Sequence, residues 1–158
     1  MPDTAASMRS LLESVRGRAE EADVFGEVSV TEGRLTAPAR DAASPAEYRL
    51  AALDDGLWVS LVTADRWLSG SIEADLMNSS DSLSELLEEE LADLGFDGDG
   101  PAYEHYRSDD MLFTFRSRVP VDANDPTSPK SIDNACFFLL GYEITFRSLG
   151  DMTAEDED

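Results

Sequence analysis

The chain has 158 residues, 42% of them apolar, with 34 Asp and Glu against 12 Lys and Arg, a net charge of −22. That length fits one domain with a real hydrophobic core, and the charge repels phosphate backbones, which argues against nucleic-acid binding. No apolar run approaches the roughly 18 residues of a membrane span, residues 1–20 lack the basic start and apolar core of a signal peptide, and a lone cysteine excludes a disulfide framework and a cysteine-based zinc site. The expectation is a cytoplasmic protein that does not bind membranes.

The charge is unevenly spread. Residues 81–110 hold eleven acids and one base, residues 111–150 hold four of each, and the last eight residues hold five acids. Lys130 is the single lysine; the other eleven cations are arginines. Such a composition suits a high-salt cytoplasm, where screening relieves carboxylate repulsion. It suits equally a small acidic protein encoded by a GC-rich genome.

In chain order, Met8, Leu11, Leu12, Val15, Ala19 and Ala22 recur at helical spacing, with Arg9, Glu13, Arg16, Glu20 and Glu21 on the other side. Gly17 weakens this helix by about 1 kcal/mol relative to alanine, and Gly26 is expected to end it. Val28 and Val30 then alternate with polar residues as in a strand, and Thr36–Ala46, with Pro38 and Pro45, reads as a loop. Tyr48, Leu50 and Ala52 alternate up to Asp54-Asp55-Gly56, a hairpin signal. Leu57, Val59 and Leu61 continue on one face, with Trp58, Ser60 and Val62 on the other. After a turn near Ala64-Asp65-Arg66, the period-two pattern predicts another strand through Leu68, Ile72, Ala74 and Leu76.

Ser82 and Glu85 form a capping box before the stripe Leu83, Leu86, Leu87, Leu91, Leu94, which predicts a second helix ending at Gly95. Asp97–Pro101 reads as a loop. From Asp110 to Val121 a strand is predicted, with Phe113, Phe115 and Val119 on one face and Thr114, Arg116 and Arg118 on the other; Pro120 demands an edge or a strand end. A last helix, capped by Ser131 or Asp133, carries Cys136, Leu139, Leu140, Glu143, Phe146 and Leu149, with Gly141 an oddity inside it and Phe137-Phe138 adding surplus apolar surface. The whole predicts an α+β fold: an antiparallel sheet of about five strands flanked by three helices, ordered αβββ(β)αβ(β)α, as one domain over residues 1–150 with a disordered acidic tail at 151–158.

Few residues suggest chemistry. No phosphate-binding glycine loop or nucleophile elbow is present. His105 reads as a semi-exposed residue entering a strand, and Cys136 as a small core residue on the apolar face of its helix. Counted from Asp93, the residues Asp97, Gly98 and Glu104 match a calcium loop, but Gly95 stands where a carboxylate is needed, so no metal and no cofactor are expected. Arg116 and Arg118 share one strand face in the neutral segment; they either pair across strands with acids such as Glu73 or Asp75 or clamp a partner segment.

The meander Tyr48–Met77, the acidic leucine helix Ser82–Leu94, the strand Phe113–Val121 and the closing helix Ala135–Leu149 together resemble the type III secretion chaperone-like fold, including YbjN-domain proteins. The resemblance spans residues 5–150, with one strand more than usual before the second helix and one strand, not a pair, before the last. It implies a non-catalytic homodimer that receives an extended segment of another protein, held on its sheet or on apolar surface. Candidate partner-binding residues are Trp58, Trp67, Arg116, Arg118, Phe137 and Phe138, since aromatics and arginine dominate interface energetics, although the commoner fate of any single aromatic is to fill the core. The alternative is a small enzyme or ligand-binding protein using Glu73, Asp75, Glu104 and His105.

Overall fold

The computed structural model describes residues 4–31, 33–39, 46–53, 56–78, 83–96, 103–107, 112–121 and 127–147. Its elements are α1 (Thr4–Ala22), β1 (Ser29–Thr31), β2 (Arg34–Pro38), β3 (Ala46–Leu53), β4 (Gly56–Thr63), α2 (Arg66–Asn78), α3 (Leu83–Leu94), β5 (Glu104–Arg107), β6 (Phe113–Val119) and α4 (Pro129–Arg147). The strands form one antiparallel sheet in the order β1-β2-β3-β4-β6-β5. The α+β class is as the sequence indicates, with six strands and four helices among the described residues in place of five and three.

The β3–β4 hairpin seeds the sheet. Leu53 pairs with Gly56, so only residues 54 and 55 connect the strands, and Gly56 takes a φ of 135° that a side chain would resist. Alternation then sends Leu35, Ala37, Tyr48, Leu50, Leu57, Val59, Leu61, Phe115 and Val119 to one face, where each is buried. All four helices bury their apolar stripes in the same core: Leu11, Leu12 and Val15 from α1, Leu68 and Ile72 from α2, Leu83, Leu87 and Leu91 from α3, and Phe138, Leu139, Tyr142 and Phe146 from α4. Among the buried apolar residues Val62 alone stays outside this cluster, because it belongs to the opposite face of β4.

Several expectations change. Residues 66–78 are helical, not a strand. Asp65 accepts the Leu68 N–H at 3.0 Å as an N-cap, and Leu68 and Ile72, four apart, reach the core on one helix face. Residues 34–38 form a strand where a loop was predicted; Pro38 is tolerated because it ends β2, where its carbonyl accepts the Gly26 N–H at 2.8 Å. Residues 104–107 add a second strand before the last helix. α1 stops at Asp23, which adopts φ 56°, rather than at Gly26. Ser128 caps α4 by accepting the Ser131 N–H at 3.2 Å, with Pro129 in the first turn, so neither Ser131 nor Asp133 is the cap.

Other expectations hold. At the end of α3, Gly95 has φ 113°, and Phe96 N–H reaches Leu91 O at 2.8 Å, a Schellman stop. Gly141 is explained by packing, since a Cβ there would lie 2.9 Å from Leu91 Cδ2, where α3 packs on α4. Ser82, Asp97–Pro101, Leu149 and the tail 151–158 lie outside the described residues. No described helix is long and apolar enough to cross a membrane.

Candidate functional site

The sheet face away from the helices is built from the polar half of each alternation. Strand register sets Thr36, Arg49, Ser60, Arg116 and Glu104 in one row across five strands, and Arg34, Ala51, Trp58 and Arg118 in the next. A third row runs Pro38, Glu47, Val62, Thr114, Tyr106. Four of the twelve cations of a strongly acidic chain therefore share this surface.

Arg116 is its centre. The guanidinium carbon sits 4.1 Å from the Trp58 ring centroid and 5.2 Å from that of Tyr106. Its Nε donates to Glu104 Oε1 at 2.9 Å, and its Nη2 lies 2.8 Å from the same oxygen. Cross-strand pairing is thus the fate of Arg116, but with Glu104 of the neighbouring strand; Glu73 and Asp75 are on α2, on the other side of the sheet. The ion pair is partly solvated and contributes under about 1 kcal/mol, whereas cation–π stacking in a partly desolvated site contributes about 1–2 kcal/mol. The aromatic rings, more than the carboxylate, fix this guanidinium. Arg49 Nε donates to Glu47 Oε2 at 2.5 Å, on its own strand. Arg118 is exposed, and its Nε and Nη2 lie 3.0 Å from where a Gly56 Cβ would be, so glycine is what lets this arginine lie flat on β4.

The other candidates lie elsewhere. Trp67 is on α2 and 85% exposed. Phe138 is buried in the core, edge-on to Phe96 at 5.1 Å, and is not available to a partner. Phe137 is half-buried and lines an apolar cleft of about 400 Å³ with Val15, Ala19, Leu94 and Leu140. Cys136 is buried there, and burial pushes its thiol up to about 11, which leaves it unreactive at neutral pH.

His105 and Glu73 meet. His105 Nδ1 lies 2.8 Å from Glu73 Oε1, its Nε2 lies 3.4 Å from Ser69 Oγ, and its ring stacks on Phe115 at 3.8 Å. Burial lowers the imidazole pKa, against the opposing pull of Glu73. The order carboxylate, imidazole, hydroxyl is that of a nucleophilic triad. Ser69, however, is 3% exposed, its N–H is bonded to Asp65 O, and the Leu68 N–H is bonded to Asp65 Oδ1, so neither an acyl group nor an oxyanion has a place to sit. The cluster ties α2 to the edge strand β5. Glu104 is on the opposite face. Among the described residues no group of three His, Cys, Asp or Glu side chains could hold a metal ion.

Tyr106, Arg49 and Glu104 are members of the sheet-face site that the sequence did not single out as partner contacts. For Arg49, alternation with Tyr48 and Leu50 was a usable signal; for Tyr106 and Glu104, the site depends on β5 lying beside β6. Compared with known proteins, the chain matches no family model, no curated protein and no solved structure.

Proposed function

We propose that this protein is a non-catalytic binding module that holds a short extended segment of another protein on the open face of its sheet. One observation carries the reading: a guanidinium clamped between Trp58 and Tyr106, flanked by Arg34, Arg49 and Arg118, occupies the face opposite the single core. Aromatic rings offer flat apolar area at small entropic cost, and guanidinium forks match carboxylates and backbone carbonyls. The segment carries one or two carboxylates rather than an acidic tract, because the net charge of −22 repels a long one. A cytoplasmic homodimer, as the resemblance to secretion-chaperone-like proteins implies, belongs to the same reading. The enzymatic alternative needs Glu73, Asp75, Glu104 and His105 to converge, and Glu104 lies against Arg116 on the sheet face opposite the His105–Glu73 contact, which speaks against it.

A photo-crosslinking residue placed at Thr36 in the full chain, expressed in its native cell, tests the proposal. Discrete adducts are expected, mapping to an extended, carboxylate-bearing stretch of a partner, and lost when Trp58→Ala and Arg118→Ala are combined. Equal adducts from Glu89, on the exposed side of α3, would overturn it.

A further inference from the structure

On the helical side of the molecule α1 and α3 both pack on α4. Where α3 ends at Leu94, the α4 surface at Phe137 and Leu140 is left between them as the floor of the apolar cleft of about 400 Å³. Ala19 and Ala22 of α1 form one wall and Leu94 the other. Phe137, Leu140 and Leu94 are half-buried and Ala22 is exposed, so the cleft opens to solvent. One turn further along α4, Leu91 of α3 lies against Gly141, so the cleft floor continues a surface that a helix covers. The charged groups of the cleft are Arg18 and Glu21, both on α1. Arg18 Nη1 donates to Asp133 Oδ1 at 2.6 Å, which offsets the one cation, and the mouth keeps a net negative charge through Glu21.

We infer that this cleft takes the apolar face of a basic amphipathic helix from a partner protein, at a site separate from the open sheet face. The walls are helices, whose backbone groups are bonded within each helix. An extended segment entering between them would bury N–H and C=O groups that find no partners, whereas a helix arrives with its own already bonded. An engineered apolar cavity of about 150 Å³ takes one benzene-sized group. This cleft therefore takes roughly two or three apolar side chains, the number that one helix face presents at i, i+3 or i+4, and i+7. The flanks of that face then lie beside Glu21 and the Arg18–Asp133 pair, on a chain of net charge −22, which selects lysine or arginine there and rejects acids. Salt screens the charge attraction and leaves the apolar burial, so binding weakens with salt but is not abolished by it.

Fluorescence anisotropy of the full chain with a labelled synthetic helix of about 16 residues, a leucine stripe at three- and four-residue steps flanked by lysines, tests this. Saturable binding is expected. The same residues in scrambled order keep the charge and lose the stripe, and should bind about tenfold more weakly or worse. Glutamate in place of every lysine should abolish binding. Ala22→Trp, which fills the cleft from an exposed position, and Glu21→Lys should each weaken binding by about fivefold or more while far-UV circular dichroism and the urea midpoint stay near wild type. Trp58→Ala, on the open sheet face, should leave it unchanged, so failure here is distinct from failure of the partner-binding reading. Absence of binding, equal binding of the scrambled helix, or indifference to Ala22→Trp would overturn the inference. So would a concentration-dependent dimer of the chain alone that Ala22→Trp disrupts, since the cleft would then belong to a second copy.

Discussion

The two faces of one sheet are built to different rules. On the helical face, Phe115, Phe146 and Tyr142 interlock, the ring of Phe146 lying 5.2 Å from each of the other two, and the Tyr142 hydroxyl meets Ser117 Oγ at 2.6 Å in a buried bond. On the open face, Trp58 and Tyr106 stack not on each other but on the cation between them; the remaining positions are arginine, glutamate, serine and threonine with Pro38, Ala51 and Val62, and Ser60, Val62 and Thr114 are buried beneath the longer side chains. The first face removes apolar area from water and supplies most of the fold's stability. The second retains solvated charge and contributes little to it, yet it holds large side chains in fixed positions. Rigidity without burial is what a surface needs to order a partner at small entropic cost.

Substitutions can break this contrast. Phe146→Ala, at a fully buried position, should cost about 3–5 kcal/mol in urea unfolding. Gly141→Ala should cost about 1–3 kcal/mol through the clash with Leu91, and Leu91→Ala in the same chain should show favourable coupling in a double-mutant cycle. Tyr142→Phe leaves Ser117 without its partner and should cost about 1–2 kcal/mol; adding Ser117→Ala should recover part of that. Trp58→Ala should cost about 1–2 kcal/mol, the value of a partly desolvated cation–π contact. A loss as large as that of Phe146→Ala would make the two faces energetically alike.

The smallest effect is a pH dependence at His105, the only histidine. Because its folded pKa lies below its unfolded value of 6.5, the unfolded chain takes up the proton first. The group's contribution to stability is complete above pH 6.5 and declines as pH falls from there toward the lowered folded value. Relief of carboxylate repulsion acts in the opposite direction, so the comparison is with His105→Phe, which keeps the stack on Phe115. Between pH 7.5 and 5.5 the wild-type Tm should fall relative to that variant; a relative rise would contradict the assignment.

What could be read from the sequence divides along the same physical line. β3, β4 and β6 were legible because one face of each is apolar and the other polar, and α3 because its leucines recur with helical period beside a run of glutamates. The segment 66–78 misled because Leu68, Ile72 and Leu76, four apart, satisfy both periods, while Ser69-Gly70-Ser71 lowers helix propensity. The Asp65 cap decides it. β2 has only Leu35 and Ala37 to bury, and β5 has no fully buried residue, so each exists because a neighbouring strand pairs with it. The candidate site divides likewise. Trp58, Arg116 and Arg118 could be placed on one face by alternation alone, whereas Tyr106 and Glu104 join them only through the order β4-β6-β5, which no local pattern encodes. Phe137 and Phe138, adjacent on a helix, could not both face outward.

The most direct test of the partner-binding face compares two tyrosines. Tyr103 and Tyr106 are each 39% exposed, but only Tyr106 stands in the open-face row of β5. Hydroxyl-radical labelling followed by mass spectrometry would be run on the purified chain and on the chain in native cell extract at equal concentration. The account expects labelling of Tyr106 and Trp58 to drop severalfold in extract while Tyr103 stays as it was. If all three fall together, or none does, the open face is not where this protein holds its partner.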